Sequence, residues 1–292
     1  MEWPISTLLL EDANFPALLR EIPDAPEKVY YRGVLSPRGT KCLAVVGSRN
    51  YTNYGKQAVE SLIGGLRGHP ISIISGLALG IDGLAHRAAL DASLYTLAVP
   101  GSGIDDSVLY PHRHRALASA ILEAGGGLLS EFEPTFKATT WSFPQRNRIM
   151  AGLAHAVLVI EATQKSGTLI TSRLATDYNR DVLTVPGSIF SEHSYGPHML
   201  IRLGATPVSR SEDILEALGI EKADPREATL PADLSPLELR VLELLHEPKE
   251  RDEFIRTLGI PTHEAASLLM QMELKSLIID TGTHLSNMHN NR

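Results

Sequence analysis

From residue 42 onward the apolar positions gather into six short runs: C-L-A-V-V-G (42–47), I-S-I-I-S-G (71–76), Y-T-L-A-V-P-G (95–101), G-L-L-S-E-F (127–132), A-V-L-V-I-E-A (156–162) and D-V-L-T-V-P-G (181–187). Most are nearly continuous in apolar residues rather than alternating, as strands covered on both faces are. Amphipathic stretches follow them and predict helices near 54–67, 80–92, 111–124, 144–154, 168–179 and 196–203. Strand and helix in alternation predict an α/β domain on a mainly parallel sheet. T-P-V (206–208) and the amphipathic S-E-D-I-L-E-A-L (211–218) close it.

The pattern then changes. Residues 221–235 are charged and proline-containing and read as a linker. Three short helical patterns follow, at 236–245, 251–260 and 261–276, and L-I-I-D-T-G-T-H-L (277–285) reads as a hairpin. Three helices and a β ending make a winged-helix-like pattern. The chain divides into a lead-in over 1–40, the α/β domain over 41–219, a linker over 220–234, a winged-helix-like domain over 235–287 and a tail over 288–292.

The 292 residues carry a formal charge of -7, but the charge is unevenly placed. Residues 1–39 hold 4 Lys+Arg and 6 Asp+Glu, residues 40–218 hold 15 of each, and residues 219–292 hold 8 and 13. The α/β domain is therefore neutral, and a local basic groove for a polyanion is compatible with it. A single cysteine, Cys42, excludes an internal disulfide and suits a reducing compartment. M-E-W-P-I-S-T lacks the basic and apolar regions of a signal peptide. No apolar run approaches the ~18 residues a membrane span needs. A soluble, cytoplasmic protein without membrane contact is expected.

In an open parallel sheet, ligands bind beyond the carboxyl ends of the strands. Here those ends carry G-S-R-N-Y-T-N-Y-G (47–55), S-G-L-A-L-G-I-D (75–82), P-G-S-G-I-D-D (100–106), E-A-T-Q-K-S-G-T (161–168) and P-G-S (186–188). Small residues let backbone N–H groups approach an anion, and helix starts favour negative charge. Gly47, Gly76, Ala78, Gly80 and Gly101 are candidates for such a pocket. It is neither a G-x-G-x-x-G dinucleotide site nor a P-loop. Arg49, directly after the first strand, offers a planar fork to a phosphate or a salt bridge across the loop. Lys165, Ser166, Gly167 and Thr168 cradle a second phosphate, or Ser166 or Thr168 caps the following helix, and the two roles are compatible.

W-S-F-P-Q-R-N-R-I-M-A-G (141–152) concentrates Arg146, Asn147 and Arg148 in an apolar run. Two positions on a regular helix differ by about 200°, so Arg146 and Arg148 cannot hold one phosphate together. Either the helix starts later, or one arginine reaches a ligand while the other braces a neighbouring loop. Phe143 stacks on a base or fills a core contact. Asp82 and His86 have the i, i+4 spacing of a metal pair but lack a third ligand, so Asp82 is expected to cap the helix or orient a glycine loop and His86 to make a packing hydrogen bond, with no metal. Asp105 and Asp106 diverge and make a poor acid–base pair. H-R-H-R (112–115) is basic and either touches DNA or forms a solvated helix face. No nucleophile is paired with a base.

V-V-G-S-R (45–49), S-G-L-A-L-G-I-D-G-L-A-H (75–86), L-L-S-E-F (128–132), F-P-Q-R-N-R-I (143–149), K-S-G-T-L-I-T-S-R-L-A (165–175), V-P-G-S (185–188) and G-P-H-M-L-I-R-L-G-A (196–205), in this order, closely resemble the DNA processing protein A (DprA/Smf) family. The resemblance spans about residues 15 to 210. It implies an extended Rossmann-like domain that binds single-stranded DNA, a homodimer, and a mediator that loads the RecA recombinase on incoming strands during natural transformation. It implies no catalysis and no cofactor. The family's motifs fall on Gly47, Ser48 and Arg49; on Ser75, Gly76, Ala78, Gly80, Ile81 and Asp82; on Phe143, Arg146, Asn147 and Arg148; and on Ser166 and Gly167. Lys137 is the nearest cation upstream of Phe143. The alternative is a nucleotide-derivative enzyme of the lysine-decarboxylase-like group, whose P-G-G-x-G-T-x-x-E signature P-G-S-G-I-D-D does not complete. The third C-terminal helix presents Glu264, Ser267, Gln271 and Glu273 against Lys275 alone. A groove-reading helix is basic, so this domain is expected to contact protein.

Overall fold

In the computed structural model, which describes residues 3–220, 234–245, 249–274, 277–280 and 284–287, the chain enters its main sheet well before the first apolar run. The lead-in folds as β1 (Ser6–Leu9), α1 (Ala17–Arg20) and β2 (Lys28–Gly33). β1 pairs antiparallel with β2, Ser6 opposite Tyr31. The parallel part follows as β3 (Lys41–Val46), β4 (Ile71–Ser75), β5 (Tyr95–Ala98), β6 (Gly127–Ser130), β7 (Ala156–Val159), β8 (Asp181–Thr184) and the short β9 (Thr206–Pro207). The nine strands stand in the order β1-β2-β6-β5-β4-β3-β7-β8-β9, with β2 antiparallel to β6 and every later neighbour parallel. The lead-in is thus an edge of the sheet and not a preface to it.

The predicted helices form as α2 (Asn53–Gly64), α3 (Ile81–Asp91), α4 (Arg115–Glu123), α5 (Ser142–Leu153), α6 (Thr168–Asp177), α7 (Tyr195–Arg202) and α8 (Ser211–Ala217). Successive strand residues face opposite ways, so each buried strand feeds two cores. Leu43 and Val45 of β3 pack with Val59, Ile63, Leu84 and Ile214 under α2, α3 and α8. Ala44 and Val46 pack with Leu19, Ile149, Leu153 and Leu200 under α1, α5 and α7. Burial on both faces is why the runs read as continuous rather than alternating.

The second unit begins after Ile220. It comprises α9 (Pro236–Leu244), β10 (Lys249–Glu250), α10 (Arg251–Leu258), α11 (Thr262–Leu274), β11 (Ile278–Asp280) and β12 (His284–Asn287). Ser235 and Glu238 form a reciprocal capping box at the start of α9. Its core joins Val241, Phe254, Leu258, Leu269 and Met272 to Leu285. The strands stand in the order β10-β12-β11, so the expected hairpin gains a third strand. Glu264, Ser267, Gln271 and Glu273 are exposed on α11. The predicted linker at 221–233, Lys275 and the tail at 288–292 lie outside the described residues.

Gly33 ends β2 at φ +77, where a Cβ would collide with the Gly126 carbonyl oxygen and stand 2.7 Å from Leu122 Cδ2. Gly39 has a similar φ of +84 in open space. Gly39→Ala is expected to cost about 1–2 kcal/mol from backbone strain alone. Gly33→Ala is expected to cost roughly 2 kcal/mol more, because the β2–β6 edge must also shift. Urea unfolding of the two variants measures the difference, and equal losses would show that this edge yields freely.

Candidate functional site

The chain runs from β3 outward through β4, β5 and β6, then returns to the other side of β3 for β7, β8 and β9. The reversal between β3 and β7 opens a crevice beyond their carboxyl ends, the usual ligand position of an open α/β sheet. A cleft of about 640 Å³ occupies it. Gly47, Ser48, Arg49 and Asn50 line it from β3, Thr163, Ser166, Gly167 and Thr168 from β7, and Phe143, Arg146 and Asn147 from α5. Ala78, Asp82, Glu192 and His193 complete much of the wall. Eleven of the seventeen candidate residues therefore converge here: Gly47, Ser48, Arg49, Ala78, Asp82, Phe143, Arg146, Asn147, Ser166, Gly167 and Thr168.

At three of the strand ends and helix starts expected to cradle an anion, the protein's own groups take a backbone N–H. At α2 the Thr52 N–H donates to Glu161 Oε2 at 2.9 Å and the Thr52 hydroxyl donates to Oε1. A buried carboxylate thus sits where a nucleotide phosphate sits in dinucleotide folds. At the β4 exit the Gly76 N–H donates to Oδ2 of Asp82, in the first turn of α3, at 3.1 Å. At α6 the Thr168 N–H donates to Ser166 Oγ at 3.2 Å, the capping alternative of the sequence reading. Four of the glycines also allow close packing. A Cβ would strike Ile81 from Gly47, Arg146 from Gly76, Phe143 from Gly101, and the Ser48 carbonyl from Gly80, which stands at φ +92.

α5 starts at Ser142, earlier than predicted, so both arginines lie on regular helix and point apart, each onto protein groups. The Ser142 hydroxyl donates to the Gly101 carbonyl at 2.6 Å and ties α5 to the β5 exit. Arg146 is only 4% exposed. Its Nη1 donates to the Gly76 carbonyl at 2.5 Å and to the Val99 carbonyl, and its Nε to Asn147 Oδ1 at 3.2 Å. It is the floor of the cleft, not a free fork for phosphate. Arg148 turns toward the lead-in, donating to the Asp24 carbonyl at 2.6 Å and to Glu131 Oε2. It braces the domain from outside the cleft lining, so it is not placed to meet a ligand there.

Lys137 and Lys165 are exposed and outside the cleft lining; Gly76, Gly80 and Gly101 also lie outside it, Gly76 and Gly101 buried. Arg49 remains as the exposed cation of the cleft. Its guanidinium carbon lies 5.2 Å from the Phe143 ring centroid, a cation–π arrangement. No salt bridge of Arg49 occurs among the described residues. His86 Nδ1 meets Thr96 Oγ1 at 2.7 Å, the packing role expected of it. Asp105 accepts from the Ser107 N–H and Asp106 pairs with Arg32, which leaves the P-G-S-G-I-D-D loop without a free acid–base pair. Sequence reasoning assigned no role to Glu161, Glu192, His193 or Asn50. Glu161 meets Thr52 across 109 positions, and no local pattern marks such a pairing.

Asp82 is buried beside Arg146. Burial pushes its carboxyl up to about 6, against the pull of Arg146 and the Ala78 and Gly76 backbone. Burial likewise lowers Arg146 to about 10, with Asp82 opposing. A carboxyl with a higher pKa in the folded chain holds its proton more tightly there. Its contribution to stability is present below 3.8 and is lost as pH rises through about 6. Burial lowers the His86 pKa to about 3 and gives a slope of opposite sign, so the two must be separated. Asp82→Asn removes only the first. The variant is expected to gain stability relative to wild type as pH rises across that window, read by urea unfolding at several pH values. A constant difference would mean that Asp82 titrates alike folded and unfolded.

The family model of DNA recombination-mediator protein A matches residues 6–219. Protein Smf of Escherichia coli (strain K12) is 37% identical over 287 residues, 95% of this chain and 76% of that protein. DNA processing protein DprA of Streptococcus pneumoniae is 43% identical over 209 residues, 71% of this chain and 72% of that protein. The X-ray structure of DNA processing protein A from Streptococcus pneumoniae aligns at a TM-score of 0.68 and 40% identity, covering 73% of this chain and 74% of its own. A Helicobacter pylori DNA processing protein A, solved for its single-stranded DNA binding mode, aligns at 0.64 and 29%, covering 73% and 95%. The matched span takes in all nine strands and every loop of the cleft, and the chain belongs to the DNA recombination-mediator protein A family, that of the DprA/Smf proteins.

Proposed function

We propose that this recombination mediator binds single-stranded DNA in the cleft between β3 and β7 and loads the RecA recombinase on that strand during natural transformation, as a cytoplasmic homodimer and without catalysis. One observation carries the reading: an exposed guanidinium, Arg49, laid over the half-buried Phe143 ring at a topological switch point. Cation and ring face together suit a phosphate and its adjoining base, whatever that base is. Around them the lining includes the neutral donors Ser48, Asn50, Thr140, Asn147, Thr163 and Thr171, beside the acidic Asp82 and Glu192. Such donors fix a sugar–phosphate chain without reading its sequence. A duplex hides its base faces and gains little from this cleft.

The homodimer finds support at the far edge of the sheet. β9 is an edge strand, and Leu203 just before it is 75% exposed. An open edge beside an apolar side chain favours pairing with another chain. The second unit, read as a winged helix, exposes the acidic face of α11 and is proposed to contact protein.

Labelled oligothymidylate and duplex DNA, titrated at several salt concentrations, test the cleft. Single strands should bind more tightly, and Arg49→Ala should weaken them about tenfold. The variant should also flatten the log–log salt slope by about 0.7, the loss of one phosphate contact. Equal duplex affinity, or indifference to Arg49, would remove the cleft from DNA binding. Sedimentation with and without RecA tests the partners: a dimer mass alone and a heavier species with RecA are expected, and a monomer or an unshifted boundary would remove the corresponding claim.

A further inference from the structure

The cleft does not end at Phe143. Arg49, Ala78 and Phe143 also line a shallow groove of about 40 Å³ on their other side, whose remaining wall is Gly76, Leu79, Tyr110 and Pro111. The Tyr110 ring centroid lies 5.6 Å from that of Phe143, with the planes tilted by 53°. The Tyr110 N–H donates to Ser102 Oγ at 3.2 Å, and His112 packs edge-on at 6.4 Å, so the residue is held from two sides. Tyr110 is nevertheless 43% exposed and Leu79 39%. Arg49 is the only charged residue in the groove lining.

A packing contact for Phe143 explains the near side of Tyr110 but not the exposed apolar pair beside it. We infer that Tyr110 and Leu79 form a second base shelf, on which the nucleotide next to the one at Phe143 lays its base. This rests on the reading of the main cleft as a site for single-stranded DNA and extends it by one subsite. The ridge of Arg49 and Phe143 divides two open faces, and the guanidinium borders both. A phosphate held by Arg49 then sends the base on one side against Phe143 and the base on the other side against Tyr110. The groove is too small to enclose a base, so it contacts one ring face only. Stacking of that kind tolerates every base.

The test walks an abasic site along a labelled oligothymidylate bound to the full chain, for wild type, Tyr110→Phe, Tyr110→Leu, Tyr110→Ala and Phe143→Leu. Tyr110→Ala should weaken binding to the intact strand roughly tenfold, within the range for one stacked base, while Tyr110→Phe binds as wild type does. Tyr110→Leu keeps an apolar contact with Phe143 but has no ring face, so it should show the same loss even if the alanine variant folds poorly. One abasic position should weaken wild type and leave Tyr110→Leu unaffected, and it should adjoin the position that behaves so for Phe143→Leu. Additive losses at every position, or coupling of Tyr110 and Phe143 to the same nucleotide, would overturn the shelf and leave DNA binding in the main cleft intact. Wild type that binds no oligonucleotide would instead overturn the reading on which the shelf rests.

Discussion

A guanidinium buried under the cleft holds the site in shape. Arg146 donates to the carbonyls of Gly76 and Val99, which leave β4 and β5, and rests beside the Asp82 carboxyl. A buried charge is costly unless its donors are used. Here the fork is spent on backbone carbonyls that would otherwise be unpaired at two adjacent strand ends. Gly76 lacks a Cβ because Arg146 lies where one would stand. Asn147 carries the connection onward, bonding to Arg146 and reaching the Gly167 carbonyl at 3.5 Å. The exits of β4, β5 and β7 are thereby linked through two consecutive residues of α5.

This arrangement decides what is left for a ligand. In dinucleotide folds the first helix start is open to phosphate. Here Glu161 takes the α2 position and Asp82 takes the Gly76 N–H. Glu161 thus braces the start of α2 and Asp82 the exit of β4. At the rim, Arg49 lies on the Phe143 ring among hydroxyls and amides. A rim of one cation and exposed ring faces suits an unpaired strand better than a compact nucleotide, because stacked bases contribute along its length.

Much of this was legible beforehand, for physical reasons that can be traced to particular residues. C-L-A-V-V-G and A-V-L-V-I-E-A read as continuous runs because β3 and β7 lie at the centre of the sheet and feed both cores. The angular argument that separated Arg146 from Arg148 held because α5 is regular from Ser142. Less legible was the lead-in. S-T-L-L and K-V-Y-Y-R-G are short, and their partners are each other and a strand about a hundred residues away, so no local period marks them. Nor did the sequence show that Ile81, Arg146 and Phe143 pack against Gly47, Gly76 and Gly101, since a glycine records a close approach without naming what approaches.

Local period, loop composition and helical angle are properties of neighbouring residues, and the amino-acid sequence determined them alone. They set the strand–helix alternation, the polar rim at the strand ends and the opposed directions of the two arginines. The strand order did not follow from them. Only the folded sheet sets β3 beside β7 and so opens a crevice there. Only the folded chain brings Glu161 to Thr52 and Tyr110 to Phe143, and so decides which backbone donors are taken and which ring faces stay open. Those pairings join residues far apart along the chain, and a linear pattern carries no record of which distant surfaces meet.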